Sequence, residues 1–409
     1  MHLLILSTTF FPEENPRANR WWPIVAAMAQ EGHQITIIAR RVHGLPDEVQ
    51  LHHIHIYRVG WPLLEEKWRP LLSKSSPVGW VVRRMQHVRH RVWKKLWWPD
   101  SSLFWFLPAT RAARRYIQQH ALDGIISISL PFVAHLVALN IKIKHPSLYW
   151  IADHGDPFSL KNLLPQNNHT LYHRLNCRDE KAILRHANHH FVNTPALAAY
   201  YHRQANLTNQ LDIIAHPALT RYPSKPSAIS QTLPITFTYF GSLFTEGRDP
   251  SAFFHFLAYF QQQFPHWKHQ LQPAFYGPLP PSPVWGYIRQ LSHTASLAKM
   301  GESQILLSLG YSQPYMLPMK LMEYIGSQRP ILHIATHMGD PVLPFLDNEP
   351  CYCSLLIPDI SYFPKAALQL HRFLTWLIAH PTWTPPPRPE LHPFAIARQY
   401  LNAIKQREP

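Results

Sequence analysis

The chain has 409 residues, of which 46% are apolar, so two to three domains with sizeable cores are expected and disorder is excluded as the main state. Lys and Arg total 39 against 24 Asp and Glu, which gives a formal net charge of +15. This balance predicts an anionic partner, whether a nucleic acid, an anionic lipid or a phosphorylated substrate. Charge alone does not distinguish these three classes.

Cysteine content and the chain's apolar segments favour a cytoplasmic protein. The three cysteines Cys177, Cys351 and Cys353 lack C-x-x-C spacing and are too few for a disulfide framework. No signal peptide is expected, because residues 1–16 contain neither a basic start nor a small-residue cleavage site. The segment most like a membrane span, 124–143, is divided by Pro131, which predicts a buried strand, a turn and a helix.

Short β-rich runs alternate with helical patterns throughout the first half of the chain. The predicted strands are 2–7, 34–40, 53–59, 124–130, 147–153, 189–194 and 211–216. The predicted helices are 17–32, 104–120, 131–140, 170–187 and 195–205. Apolar strands separated by helices are typical of a parallel sheet covered on both faces. We therefore predict a Rossmann-like, doubly wound domain over residues 1–216.

Hydrophobic periodicity stops at 217–234, where Pro, Ser and Lys dominate, so this segment is predicted to be a linker. The alternation resumes with strands at 235–241, 272–277, 305–310, 330–335 and 353–358, and helices at 250–264, 284–297 and 318–327. These elements predict a second Rossmann-like domain, 235–380. The remainder, 381–409, begins Pro-rich and ends in a helix at 393–405 that we expect to pack back across the domains. The fold class is thus α/β, with two doubly wound domains facing a cleft.

Ligands of such sheets bind at the carboxyl ends of the strands, so charged residues that follow predicted strands are candidates for a site. Gly241, Ser242 and Arg248 follow strand 235–241. Glycine lets backbone approach a phosphate closely, and arginine can bind that phosphate bidentately. An ordinary turn with a solvated arginine explains the same residues.

Lys320 and Glu323 lie three residues apart near the beginning of the predicted helix 318–327. A lysine at the positive end of a helix can bind a phosphate, and a carboxylate one turn deeper can accept hydrogen bonds from a ribose. The alternative is a surface i,i+3 ion pair.

The order of these motifs resembles the donor-binding half of GT-B-fold glycosyltransferases of family 4 (glycosyl transferase group 1). Residues 241–250 read GSLFTEGRDP, and residues 317–332 read LPMKLMEYIGSQRPIL. The first half also resembles this family, in residues 8–22, 29–38, 123–131 and 150–158. The resemblance covers nearly the whole chain in order.

This resemblance implies transfer of a sugar from a nucleotide-sugar, most often UDP- or GDP-linked, to a glycan or lipid-linked acceptor during cell-surface polysaccharide synthesis. It further implies retention of anomeric configuration, with no bound metal and no other cofactor. By position, Arg248, Lys320, Gly241 and Ser242 would hold the donor diphosphate, and Glu323 the ribose. The sequence departs from the family at Tyr315, where a second glutamate is common, and at 12–17, where many members are glycine-rich.

The resemblance places acceptor-side and catalytic residues after the predicted strand 147–153, at His154 and Asp156. Asp156 precedes Pro157, an arrangement that also fits a turn. Asp153 is either an acceptor contact or structural. Arg17 and Arg20 lie at the beginning of a helix that is expected to face the cleft. Each arginine either binds a phosphate or is an ordinary solvated surface charge, and the sequence leaves both interpretations open.

Residues 80–98 combine basic and aromatic side chains, which are Arg83, Arg84, Arg89, Arg91, Trp93, Lys94, Lys95, Trp97 and Trp98. As a helix, this segment is basic on one side and aromatic on the other, as in interfacial membrane segments. The alternative is a solvated helix whose tryptophans pack on the domain. We expect peripheral contact with the inner face of the cell membrane, which a lipid-linked acceptor would require.

Other functions remain as alternatives. The His-rich stretches 52–55 and 186–190 lack metal-ligand spacing, so no metal site is predicted. A GT-B sugar-nucleotide epimerase would need further acid–base carboxylates. Tyr315 favours a non-catalytic homologue. The net charge would suit a protein that binds anionic surfaces or nucleic acid, but no nucleic-acid motif is recognised and no such partner is expected.

Overall fold

The computed structural model describes residues 1–61, 97–160, 166–205, 209–218, 234–243, 247–277, 291–347 and 349–406. The chain forms two compact units, Met1–Ala215 together with Pro393–Pro409, and His216–His392. Most of the predicted linker 217–234 and the first part of the predicted helix 284–297 lie outside the described residues.

The first unit contains a sheet to which the described residues contribute eight strands, in the order β3-β4-β2-β1-β5-β6-β7-β8. The strands are β1 (His2–Leu6), β2 (Gln34–Arg40), β3 (Glu48–Leu51), β4 (Ile54–Val59), β5 (Gly124–Ile128), β6 (Trp150–His154), β7 (His189–Val192) and β8 (Gln210–Ile213). Neighbouring strands pair in parallel, except that β3 is antiparallel to β4. The edge strand β3 was not predicted, because it is largely exposed and lacks a buried apolar run.

Helices cover both faces of this sheet, as α1 (Pro16–Gln30), α2 (Phe106–Gln119), α3 (Val133–Lys144), α4 (His169–His186) and α5 (Pro195–Ala205). Successive side chains of β1 point to opposite faces. Leu3 and Ile5 belong to the core cluster that contains the apolar face of α1, whereas Leu4 and Leu6 pack with α2 and α3. The doubly wound sheet predicted from the alternating pattern is confirmed.

The second unit contains a five-stranded parallel sheet within the described residues, in the order β10-β9-β11-β12-β13. Its strands are β9 (Ile235–Phe240), β10 (Leu271–Tyr276), β11 (Ile305–Leu309), β12 (Ile331–Ala335) and β13 (Tyr352–Leu356). Its helices are α6 (Ser251–Gln263), α7 (His293–Glu302), α8 (Met319–Gly326), α9 (Leu343–Leu346) and α10 (Phe363–Ala379).

The last helix, α11 (Pro393–Lys405), returns to the first unit. Its Tyr400 and Leu401 join the core cluster that contains Trp21 of α1, and the Tyr400 and Trp21 ring centroids are 4.9 Å apart. The first unit is therefore completed by the far end of the chain. None of the helices described is both long and apolar enough to span a membrane.

Candidate active site

Two glycines bring the carboxyl ends of β9 and β10 into contact. Gly241 follows β9 with φ of +147°, and Gly277 follows β10 with φ of +158°. A Cβ atom on Gly277 would lie 2.0 Å from the carbonyl oxygen of Gly241. Because backbone cannot move aside as a flexible side chain can, position 277 requires glycine, and the strand ends stay closely packed.

Arg248 is buried beside this strand end, with only 7% of the residue exposed. Its Nη1 donates to the Tyr239 hydroxyl at 3.4 Å, and its guanidinium carbon lies 4.0 Å from the centroid of the Tyr311 ring. The Tyr239 hydroxyl in turn donates to the Ser242 carbonyl oxygen at 2.9 Å. The Nε of Arg248 has no hydrogen-bond partner, and no carboxylate of the described ranges pairs with the guanidinium. A buried cation in this condition is suited to receive an anion.

Neighbouring elements hold the end of β9 and the residue before Arg248 in place. Phe240 N donates to the Tyr324 hydroxyl at 2.8 Å, which attaches α8 to the end of β9. Ser312 N donates to Gly247 O at 3.1 Å, which attaches the loop after β11 to the residue before Arg248. Three chain segments therefore support one guanidinium group.

Lys320 and Glu323 form an i,i+3 ion pair, which was the alternative interpretation of their spacing in the sequence. Lys320 Nζ lies 2.5 Å from Glu323 Oε2, and His293 Nε2 lies 3.0 Å from Glu323 Oε1. Burial opposes ionisation of Glu323, but hydrogen bonds with His293 and Lys320 outweigh it, so the pKa of this carboxyl is below its usual value. His293 was not predicted as a residue of the site. The sequence indicated it only through its position at the beginning of α7, directly after the capping residue Ser292.

A buried Ser–His–Asp arrangement lies in the strands beside these loops. His333 Nδ1 is 3.0 Å from Ser308 Oγ, and its Nε2 is 3.1 Å from Asp340 Oδ2. All three side chains are buried, which argues against nucleophilic chemistry and for a role in fixing the loops after β11 and β12. His337 Nε2 donates to the carbonyl oxygen of Tyr311 at 3.0 Å, so the loop after β12 also holds the residue that stacks on Arg248.

In the first unit, Arg20 and Asp153 form a bidentate ion pair, with Nη1–Oδ1 2.7 Å and Nη2–Oδ2 2.9 Å. Both side chains are 1% exposed. The Tyr400 hydroxyl donates to the same carboxylate and accepts from Arg20 Nη2 at 3.1 Å. This geometry supports a structural role that joins α1, β6 and α11. A contact of either residue with an acceptor stays a prediction.

Arg17 and Asp156 form a second, more accessible pair at the carboxyl end of β6. Arg17 Nη2 lies 3.0 Å from Asp156 Oδ2, with side chains 20% and 18% exposed. A Cβ on Gly155 would lie 1.8 Å from Arg17 Nη1, so glycine leaves the space that the guanidinium occupies against the backbone. Unlike the Arg20 pair, this one can be reached from solvent.

His154 belongs to a buried polar network. His190 Nε2 donates to the carbonyl oxygen of Leu184 at 3.1 Å, so its Nδ1 accepts from His154 Nε2 at 3.1 Å. His154 Nδ1 then lies 3.4 Å from the hydroxyl of Tyr201, and that hydroxyl donates its proton to Glu180 at 3.2 Å. Burial, followed by the neighbouring histidine charge, lowers the pKa of both His154 and His190 well below the usual value. The catalytic role of His154 stays a prediction, and its ring is neutral and buried.

No protein-family model matches this sequence, and no curated protein matches it. Solved structures do match. A trehalose-6-phosphate synthase matches over 100% of both chains with a TM-score of 0.61 and 11% identity. A sucrose-phosphate synthase from Thermosynechococcus elongatus covers 99% of this chain and 94% of its own, with a TM-score of 0.58 and 14% identity. A UDP-forming α,α-trehalose-phosphate synthase from Burkholderia xenovorans covers 99% and 98%, with a TM-score of 0.60 and 10% identity.

The chain has the GT-B glycosyltransferase fold. The fold class expected from the sequence is thereby confirmed. In this GT-B protein, the loops after β9 and β11 and the first turn of α8 lie at the carboxyl edge of the second sheet, where ligands of such sheets bind. Gly241, Ser242, Arg248, Lys320 and Glu323 all belong to that edge.

The basic and aromatic segment of the GT-B protein is described only at its end. The residues Arg83, Arg84, Arg89, Arg91, Trp93, Lys94 and Lys95 lie outside the described residues. Trp98 Nε1 donates to Asn176 Oδ1 at 3.1 Å, and the centroid of the Trp97 ring is 4.8 Å from that of Phe104. Both tryptophans thus contact the first unit, and their membrane contact stays a prediction.

The histidine and cysteine clusters have ordinary structural partners. His55 pairs with Glu48 at 2.6 Å and His189 with Asp212 at 3.0 Å. In the described part of the chain, no three His, Cys, Asp or Glu side chains are grouped to hold a metal ion. Burial raises the pKa of the Cys351 and Cys353 thiols to about 12, as expected of packing residues.

The His135→Asn substitution is expected to cost less stability in acid than at neutral pH. His135 Nδ1 accepts from Ser127 Oγ at 2.7 Å, and burial lowers its pKa to about 3. As pH falls below about 6.5, His135 is protonated in the unfolded chain but not in the folded one. The free energy of unfolding of wild type therefore falls by roughly 1.4 kcal/mol per pH unit. Asparagine keeps an acceptor near Ser127 without the titration.

Urea unfolding of both proteins at pH 7.5 and 4.5 measures this difference, which should be about 2–3 kcal/mol. Comparing variant with wild type removes the opposite contribution of Asp100, whose pKa burial raises to about 6. The exposed His202→Asn is the control. A cost for His135→Asn that does not change with pH would contradict the neutral, buried state.

Proposed function

We propose that this GT-B protein is a glycosyltransferase that moves a sugar from a nucleotide-sugar to a glycan or lipid-linked acceptor. The observation that carries the proposal is Arg248, a buried guanidinium without a carboxylate partner among the described residues, at the edge of the sheet where the two strand ends meet. Similarity to glycosyltransferases in fold, and the resemblance to family 4 in its motifs, support the same function.

The chemistry requires stabilisation of a diphosphate leaving group. The bond from the sugar C1 to the diphosphate breaks, a bond from C1 to the acceptor oxygen forms, and the acceptor proton passes to the leaving diphosphate. Arg248, Lys320 and the amino end of α8 supply positive charge where negative charge develops. In this proposal the ribose hydroxyls bind Glu323 and free Lys320 Nζ for the phosphates.

We propose a UDP-sugar donor and a retaining, metal-independent reaction. A uridine nucleotide is favoured over GDP because three structural neighbours are named as UDP-forming. The retaining course and the independence from metal follow from the resemblance to family 4, as does a role in cell-surface polysaccharide synthesis. Each of these finer points is open to direct measurement.

On the acceptor side, we propose that Asp156 orients the acceptor hydroxyl and that Arg17 binds an anionic group of the acceptor. The support is their accessible ion pair, which a competing phosphate can open. This assignment fits a cytoplasmic enzyme that meets a lipid-linked acceptor at the inner face of the membrane.

The function is tested by measuring nucleoside diphosphate release from UDP-glucose, UDP-galactose, UDP-N-acetylglucosamine and GDP-mannose, with and without EDTA. We expect release from one UDP-sugar, insensitive to EDTA and greatly reduced in Lys320→Ala. NMR of the product anomer reports retention or inversion. Absence of release from every donor, with any acceptor preparation, would overturn the enzymatic function.

A non-catalytic GT-B homologue is the second candidate, favoured by Tyr315 in place of the family glutamate. This candidate predicts nucleotide binding without sugar release in wild type. It gains if Tyr315→Glu creates release where wild type shows none.

A further inference from the structure

The amino end of α2 presents large apolar side chains to solvent. Trp61 is 77% exposed, Phe104 62% and Leu107 57%, and we call these three residues the apolar tip. The residue before Trp61, Gly60, lies against the first turn of α2, because a Cβ on Gly60 would be 3.5 Å from Pro108. Single exposed apolar residues are common, whereas an aromatic cluster indicates a contact surface.

The same helix is basic beyond the apolar tip. Arg111 and Arg115 are exposed and follow Phe104 and Leu107 at helical spacing, so all four lie along one stripe. Neither α2 nor α3 contains Asp or Glu. The carboxylate of the nearby Asp100 is buried and accepts from the backbone of Ser102 and Val133. The charge of this face therefore favours an anionic partner.

The apolar tip lies at the edge of the first sheet that also carries Asp156. Asp100 caps the first residue of α3, and Phe132, just before that residue, stacks on Phe158 with ring centroids 3.6 Å apart. Phe158 is two residues beyond Asp156. These contacts connect the segment just before Phe104 to the loop that follows β6.

We propose that the apolar tip inserts into the headgroup region of an anionic phospholipid bilayer, with Arg111 and Arg115 on lipid phosphates. Apolar and aromatic residues beside a basic face match the surface of a bilayer, where anionic headgroups cover an apolar acyl region. The segment 62–96 of this chain is a poorer partner for the apolar tip than an anionic bilayer is, because it is rich in Lys and Arg and Arg111 and Arg115 would repel it. This inference does not depend on catalysis.

The test is co-sedimentation of the full chain with phosphatidylcholine vesicles that contain no anionic lipid or about 30% phosphatidylglycerol, at roughly 0.1 M salt. Wild type should bind the anionic vesicles, more weakly as salt rises. Phe104→Ser/Leu107→Ser should reduce the partition coefficient at least about tenfold. Arg111→Gln/Arg115→Gln should reduce it about 30-fold and flatten the salt dependence.

Leu368→Ser is the matched control, because Leu368 is 53% exposed on α10 of the second unit. All variants change exposed side chains, so unchanged thermal midpoints verify folding. The proposal is overturned if both double variants bind like wild type, which would move the contact to other residues such as 62–96. It is also overturned if wild type does not bind the anionic vesicles. In that case a wild-type dimer that the tip variants dissociate would identify the apolar tip as a dimer interface.

Discussion

Arg248→Gln is expected to slow sugar transfer by about 10²–10³-fold while leaving the protein at least as stable as wild type. The substitution removes charge-assisted hydrogen bonds to the diphosphate, and loss of one such group from a transition state costs about 10²–10³ in rate. In the free protein, however, Arg248 is a buried cation without a carboxylate among the described residues, so its removal relieves desolvation. Loss of activity without loss of stability is the signature of a binding residue.

The control is Arg372→Gln, which removes an exposed arginine from α10 of the same unit. It should change neither kcat/KM nor the thermal midpoint measurably. If Arg248→Gln instead retained wild-type kcat/KM, or unfolded the second unit, Arg248 would be a structural residue and the donor site would lie elsewhere.

Asp153→Asn is expected to destabilise the first unit by about 3–5 kcal/mol, because it leaves the Arg20 charge buried without its counter-ion. The pair is bidentate and 1% exposed on both sides, and Tyr400 also donates to the carboxylate. The Arg20→Met/Asp153→Asn double variant should recover part of this loss, since no buried charge remains. Urea unfolding followed by tryptophan fluorescence measures both changes.

The chain offers a matched comparison in Arg41 and Asp47, a bidentate pair at 2.7 and 2.6 Å that is largely exposed. Asp47→Asn should cost no more than about 1 kcal/mol, because solvent already screens this pair. Equal costs for Asp47→Asn and Asp153→Asn would show that burial does not determine the strength of the Arg20 pair.

Most strands and several helices of both sheets could be predicted, because their residues carry one dominant physical signal. The strands β1, β5 and β11 are largely apolar and buried, β6 is buried although it ends in Asp153 and His154, and glycine marks one end of β5, β6 and β11. Where that signal is weak, prediction failed: β3 is an exposed edge strand, and α10 was not assigned although its apolar positions recur at helical spacing.

The candidate site was predictable only in its local parts. Gly241, Arg248, Lys320 and Glu323 follow strands in sequence, so topology alone brings them to one edge. Partners distant in sequence were not predictable: Tyr400 reaches Asp153 across 247 positions, and His190 reaches His154 across 36. Tertiary packing brings these groups together, and no spacing rule within one segment anticipates them.

Calorimetric titration of UDP, GDP, ADP and CMP into wild type and Arg248→Gln tests the donor site most directly. The proposed function predicts micromolar, one-site binding of a single nucleotide, UDP, to wild type, and its loss in the variant. Equal binding of UDP to both proteins, or no binding of any nucleotide to wild type, would contradict the assignment of Arg248 to a donor diphosphate.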